Sequence, residues 1–272
     1  MRIGPIVQVT MLSSNLDAVA ELYKSAFDWQ ISKPKYQISL ADATRWSATD
    51  LAGAPAIEIS GINGGLRLIE VPKFQPPEPL KSFGWTALEI CVDDVYGYTE
   101  RAIAAGFKLL NEPVPLSGQA KLLPLIAAQL AGINGEVIYI TQILDEVPNF
   151  ELPDVNRESG SIFICVLGAS DLEKSRSAIE SAFEVRRASD REVAIKVLNK
   201  VFERSLDDRH RISSLQLAGR NAIEIDQLPN EADARAKIVG NLVGGISMVT
   251  VKGDVGEPQI FELPDNAILE II

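Results

Sequence analysis

Short β-branched runs and single helical stripes alternate along the chain, and the alternation repeats. Near the start, IVQVTML reads as a strand by its length and β-branched content. Asn15 then stands where a helix needs a capping acceptor, and Leu16, Val19, Ala20, Leu22, Tyr23 and Phe27 recur at helical spacing. The layout returns as LEICVDDVYGYTERAIAAGFK, with Asp94 as cap and Val95, Tyr98, Ala102 and Ala105 as stripe. It returns again as FICVLGASDLEKSRSAIESAFEVRR, with Asp171 as cap and Leu172, Ser175, Ile179 and Phe183 behind it. Each helix is followed by short strands rather than a second helix. These are YQISLADA, AIEISG and LRLIEVP, then FKLLNEPV, LLPLIAAQLAG and EVIYITQIL, then EVAIKVLNKVFE, RISSLQLAG and NAIEIDQL. A fourth opening strand, GISMVTVKGD, leads only to PQIFELP and AILEII. GINGG at 61–65 and GING at 132–135 precede strands, so they read as hairpin turns and not as phosphate cradles.

The pattern predicts an α+β chain of tandem strand-helix-three-strand modules, with the fourth module reduced. The polar, proline-bearing stretch 148–159 reads as a linker. A first domain then covers 1–147, from modules 1–78 and 84–147. A second covers 160–272, from a module at 160–229 and the reduced one at 240–272. NEADARAKIVGNL reads as a helix-like bridge between the last two modules.

Composition narrows the partners. A chain of 272 residues has length for one large domain or two smaller ones. A net charge of -11 argues against nucleic acid and against an anionic membrane surface, both of which call for Lys and Arg. No run approaches the ~18 to 20 apolar residues of a membrane span, and no secretory signal is apparent. The two cysteines, Cys91 and Cys165, fall inside predicted strands without a CxxC motif, which suggests reduced thiols in a cytoplasmic protein. The expected partner is a small organic molecule, with the chain a monomer or homodimer.

The segments VTMLSSNLDAVAELYKSAF, VDDVYGYTERAIAAGF and VLGASDLEKSRSAI resemble the opening motifs of the vicinal oxygen chelate superfamily, which includes glyoxalase I, bleomycin-resistance proteins and extradiol dioxygenases. The resemblance covers nearly the whole chain and is weakest from residue 240. It implies tandem modules that pair to form curled mixed or antiparallel sheets around a cup. In members that are enzymes it implies a divalent metal held by His or Gln on opening strands and Glu on last strands. Carried onto this sequence, the first module offers Gln8 and Glu70, the second Ala87 and Tyr139, the third Ile164 and Glu224, and the fourth Ile246 or Ser247 with Glu270. The single histidine, His210 in DDRHR, matches none of these positions. The resemblance therefore points to a degenerate metal site, with no cofactor and no metal ligands.

The expected function is that of a small-molecule-binding protein. A largely apolar organic ligand would sit in a cup formed by the first two modules and lined by Gln8, Thr10, Glu70, Glu89 and Tyr139. Glu89 and Cys91 share the strand face of Ala87 by alternation. Glu70 is the candidate catalytic residue of the alternative, a lyase or isomerase, because a carboxyl in an apolar cup is pushed toward base strength near neutrality. Half of a weak metal site with Gln8, or simple pocket lining, are the other roles open to it. A metal-dependent glyoxalase or extradiol-dioxygenase-like enzyme is the weaker reading, since it needs histidines the positions lack. Cys91 has no basic neighbour and reads as a buried filler. Tyr139 is either a donor to the ligand or a packed tyrosine, and DDRHR reads as a solvated turn.

Overall fold

The structure, a computed structural model, describes residues 1–117 and 122–272. In the first module β1 (Ile3–Ser13) runs into Asn15, whose side chain accepts from the Ala18 amide and starts α1 (Leu16–Phe27). β2 (Gln30–Gln37), the short α2 (Leu40–Arg45), β3 (Pro55–Ser60) and β4 (Gly65–Glu70) follow. The second module is β5 (Gly84–Val92), α3 (Val95–Ala105), β6 (Lys108–Ser117), β7 (Leu122–Ala131) and β8 (Val137–Ile143). Asp94 caps α3 by accepting from Tyr96 and Gly97, supplying acceptors that the first turn cannot find within the helix. The connecting stretch holds one turn of helix, α4 (Val155–Glu158).

The third module is β9 (Ser161–Ala169), α5 (Leu172–Ala182), β10 (Arg186–Ala194), α6 (Lys196–Val201), β11 (Arg209–Gln216) and β12 (Ala222–Gln227), with Asp171 capping α5. A small hairpin of β13 (Lys237–Val239) and β14 (Leu242–Val243) precedes the reduced module, β15 (Ile246–Gly253), β16 (Gln259–Glu262) and β17 (Ile268–Ile271).

Three segments depart from the pattern reading. YQISLADA straddles the end of β2 and the start of α2, because Ser39 accepts from the Asp42 amide and turns the chain into a helix. EVAIKVLNKVFE is mostly the tail of β10 plus α6. Val197, Leu198, Val201 and Phe202 lie at helical spacing and turn inward together. NEADARAKIVGNL forms no helix. Arg235 is instead drawn into the interior, where it donates to the Trp85 and Ile246 carbonyls and to Ser82.

The sheets do not pair the modules in sequence order. One sheet runs β16-β17-β15-β1-β4-β3-β2, and the other β10-β11-β12-β9-β5-β8-β7-β6. The first module thus joins the fourth through antiparallel β1 and β15, with Gln8 opposite Thr250. The second joins the third through antiparallel β5 and β9, with Glu89 opposite Ile164. Modules one and two share no sheet. They meet through α1 and α3, where Tyr23, Phe27, Trp29, Tyr98 and Phe107 pack ring against ring.

One large core takes the helix-facing sides of both sheets together with α1, α3 and α5. Each sheet's opposite, concave side packs separately. The cup of modules one and four closes over Ala43, Trp46, Ala48 and Leu51 from the α2 segment. The cup of modules two and three takes Val197 and Leu198 from α6. Among the described residues no helix is long and apolar enough to cross a membrane.

Candidate functional site

Strand alternation decides which side chains each cup receives. In β1, Val9 and Met11 enter the shared core, so Gln8, Thr10 and Leu12 turn to the cup of modules one and four. In β4, Leu66 and Leu68 enter the shared core, which leaves Arg67 and Ile69 on the cup side. The carboxyl at the centre of this cup belongs to Glu270 on β17 and is fully buried. It accepts from Trp46 Nε1 at 2.9 Å, Thr250 Oγ1 at 2.8 Å, Arg67 Nη1 at 3.2 Å and Arg45 Nη2 at 3.2 Å. The Arg67 guanidinium also lies 4.9 Å from the Trp46 ring and donates to Thr10 Oγ1. Burial pushes the Glu270 carboxyl up, but Arg67 and these hydrogen bonds win and hold it below the ordinary carboxylate range. Charge and hydrogen-bonding capacity are matched from within the chain.

The cup of modules two and three is the reverse. Glu89 on β5, Tyr139 and Thr141 on β8, and Glu224 and Asp226 on β12 turn into it. The neighbouring Leu88, Ile90, Ile138, Ile140, Ile223 and Ile225 all lie in the shared core. Glu89 accepts from Thr141 Oγ1 at 3.0 Å. Glu224 Oε2 accepts from Arg191 Nη2 at 2.8 Å and Ser214 Oγ at 3.2 Å. Asp226 Oδ1 is buried and meets no donor.

Three carboxyls thus share one arginine in an apolar surround. Burial, with Glu224 close by, pushes Glu89 up to about 8. Burial and the same neighbour raise Asp226 well above its ordinary value, and burial with the three acids raises Tyr139. All four are largely buried: Glu89 and Asp226 each keep 5% of their surface exposed, Glu224 7% and Tyr139 9%. A groove of about 320 Å³ along β10 and β11 lies on the other face of this sheet, beside α5, where Asp190 and Arg211 meet Arg176 and Glu173, so it does not open onto the acids.

The residues expected to line one cup are therefore divided between two. Gln8 and Thr10 lie in the cup of modules one and four, and Glu89 and Tyr139 in that of modules two and three. Glu70 lies in neither. It shares the face of Leu66 and Leu68, and its charge acts on Lys35, which pairs with Asp17 in the first turn of α1. A one-residue register offset along β4 accounts for this, since it sends every side chain to the opposite face. Arg67 occupies the cup position instead. The candidate base and half-site roles of Glu70 are withdrawn on this geometry.

Other assignments fall as follows. Ala87 and Ile164 line the cup of modules two and three, while Ile246 lies in the shared core. Cys91 is fully buried, its thiol pushed up to about 12 mainly by burial. His210 is not in a solvated turn. It begins β11, is buried against Asn199 Oδ1 at 2.6 Å, and burial lowers its basicity. Thr141, Arg191, Ser214 and Asp226 were missed. The signal for Asp226 was present in AIEIDQ, where two acids alternate with two isoleucines.

A divalent metal, which the resemblance implies for some members, does not fit the donors. In the first cup, Arg67 stands at the position facing Glu270 and fills the carboxyl's coordination capacity. In the second, an arginine already sits among the acids and imidazole is absent. Among the described residues no three His, Cys, Asp or Glu side chains are grouped so as to hold an ion.

The paired modules and their curled sheets are the vicinal oxygen chelate fold. Glyoxalase I from Zea mays superposes with a TM-score of 0.61 at 13% identity, covering 98% of this chain and 91% of that one. Its V278E mutant gives 0.62 at 14% identity, with coverage of 98% and 91%. A proposed dioxygenase from Bacillus subtilis gives 0.64 at 9% identity, covering 99% and 85%. At these identities the likeness establishes the fold. No protein-family model and no curated protein matches the sequence.

Proposed function

We propose that this chain is a small-molecule-binding protein built on the vicinal oxygen chelate fold, and that its ligand enters the cup of modules two and three. One observation carries the reading. Polar groups from five strands converge there among apolar walls, yet they do not satisfy one another, as Asp226 Oδ1 shows. A concave apolar site with a few converging polar groups is the usual form of a ligand site. The other cup lacks this property, because Glu270 is matched by its own arginines and tryptophan. Metal chemistry has no part in this reading. The test is an NMR screen of small organic compounds against isotope-labelled protein. Hits should shift resonances of Glu89, Thr141 and Asp226. Shifts confined to Thr10, Trp46 and Thr250 would defeat the assignment.

A second reading is favoured by the state of Glu89. A carboxyl raised to about 8 holds its proton at neutral pH and can exchange it, which suits a general acid or base in a lyase or isomerase. Glu89→Gln should then abolish turnover of an identified substrate while leaving its binding measurable. Under pure binding, no turnover is found with either protein.

A further inference from the structure

The acids of the second cup also indicate what kind of molecule fits, an inference that rests on that cup being the ligand site. Four observations bear on it. Glu89, Glu224 and Asp226 face one space, and Arg191 is the one cation that contacts them among the described residues. Arg191 is committed to Glu224, which among the described residues leaves Glu89 and Asp226 with a single hydroxyl donor between them, from Thr141. Asp226 is 5% exposed and its Oδ1 has no partner, although an unmet buried acceptor is costly. The walls beyond the acids are apolar, with Ala87, Phe163, Ile164 and Leu198 among them.

We propose that the cup of modules two and three takes an organic ammonium, its N–H groups directed at Asp226 Oδ1 and Glu89 and its apolar body laid along Ala87, Phe163 and Ile164. The missing component is a donor of positive charge. A neutral apolar ligand would leave Asp226 unmet and exclude the water that could serve it. An anion would add to the repulsion. A bare metal ion would find carboxyls too dispersed to coordinate it and an arginine already in place. Burial raises the proton affinity of Glu89 and Asp226, and a bound ammonium favours their ionised forms. The ammonium supplies up to three N–H donors in charge-assisted bonds and tolerates that dispersed arrangement. Its hydrocarbon portion removes apolar wall from water.

The test compares benzylammonium with benzyl alcohol, a neutral compound of nearly the same shape, by calorimetric and NMR titration of the full chain. Benzylammonium should bind at least about tenfold more tightly than the alcohol, in line with the strength of charge-assisted hydrogen bonds. Asp226→Asn should weaken it about thirtyfold or more, as loss of one partner of a buried charge pair does. Asp226→Asn replaces a buried carboxyl with a neutral amide of the same shape, so the variant is expected to fold. Glu89→Gln provides an independent variant that should also weaken the ammonium and spare the alcohol.

Equal binding of the two probes, unaffected by Asp226→Asn, would overturn the ammonium while leaving the cup as the ligand site. Failure of benzylammonium to bind would overturn the ammonium, and the compound screen would then decide the cup separately. Saturable Zn²⁺ binding that displaces benzylammonium and is lost in Asp226→Asn would assign the acids to a metal and overturn the proposal.

Discussion

The two cups come from the same architecture and differ in how their buried charge is balanced. In the cup of modules one and four, Glu270 is met by Arg67, Arg45, Trp46 and Thr250, and the α2 segment drives Trp46 into the hollow. In the cup of modules two and three, Glu89, Glu224 and Asp226 share Arg191 and one acceptor atom goes unmet. A satisfied buried network rigidifies a fold, whereas a half-satisfied one leaves a demand that something else can meet. The first cup is balanced from within the chain, and the second, where we propose a ligand binds, is not.

Breaking the balance of the first cup should produce the largest effect. Trp46 is buried at 2% exposure, so Trp46→Ala removes its packing and the donor to Glu270 together. A loss of about 3–5 kcal/mol is expected in urea unfolding, the range for large-to-small core changes involving an aromatic. Arg67→Met should cost about 3 kcal/mol by the same measurement, because it leaves the buried Glu270 carboxylate short of a cation.

The second cup predicts the opposite sign. Glu89 is raised from 4.5 to about 8, so the folded state binds a proton more readily than the unfolded state. Stability from this group is fully present below about pH 4.5 and is lost as pH rises toward 8. Glu89→Gln should flatten that decline in a series of urea melts from pH 4 to 9. Glu270 is lowered, so its contribution is present at neutral pH and is lost as pH falls through its folded value. Glu270→Gln should therefore destabilise at pH 7, where Glu89→Gln stabilises or is neutral.

The smallest effect sharpens the contrast by lying outside it. Glu70 faces neither cup, and Glu70→Gln should change stability by under ~0.5 kcal/mol and leave benzylammonium binding unchanged.

Local pattern made much of this legible. The caps at Asn15, Asp94 and Asp171 and the helical stripes behind them lie where the residues place them, since both depend on interactions within a few positions. Pairing of modules was not legible, because it is set by long-range strand partners. The aromatic contact of α1 with α3 joins modules one and two without any shared ladder. The error at Glu70 was one of phase: LRLIE can place either Arg67 or Glu70 on the cup side, and only the packing of Leu66 and Leu68 fixes which. In contrast, AIEIDQ alternates cleanly, and Glu224 and Asp226 could have been assigned to one face from the start. What the sequence did not reveal was that Arg191, on a different strand, would neutralise only one of them.

Side-chain carboxyl NMR titration of Glu89 and Glu270 in one sample reads the difference between the cups directly. Glu89 is predicted to titrate with a midpoint near 8 and Glu270 below the ordinary carboxylate range. Two midpoints close together near 4.5, or Glu270 above Glu89, would contradict the account.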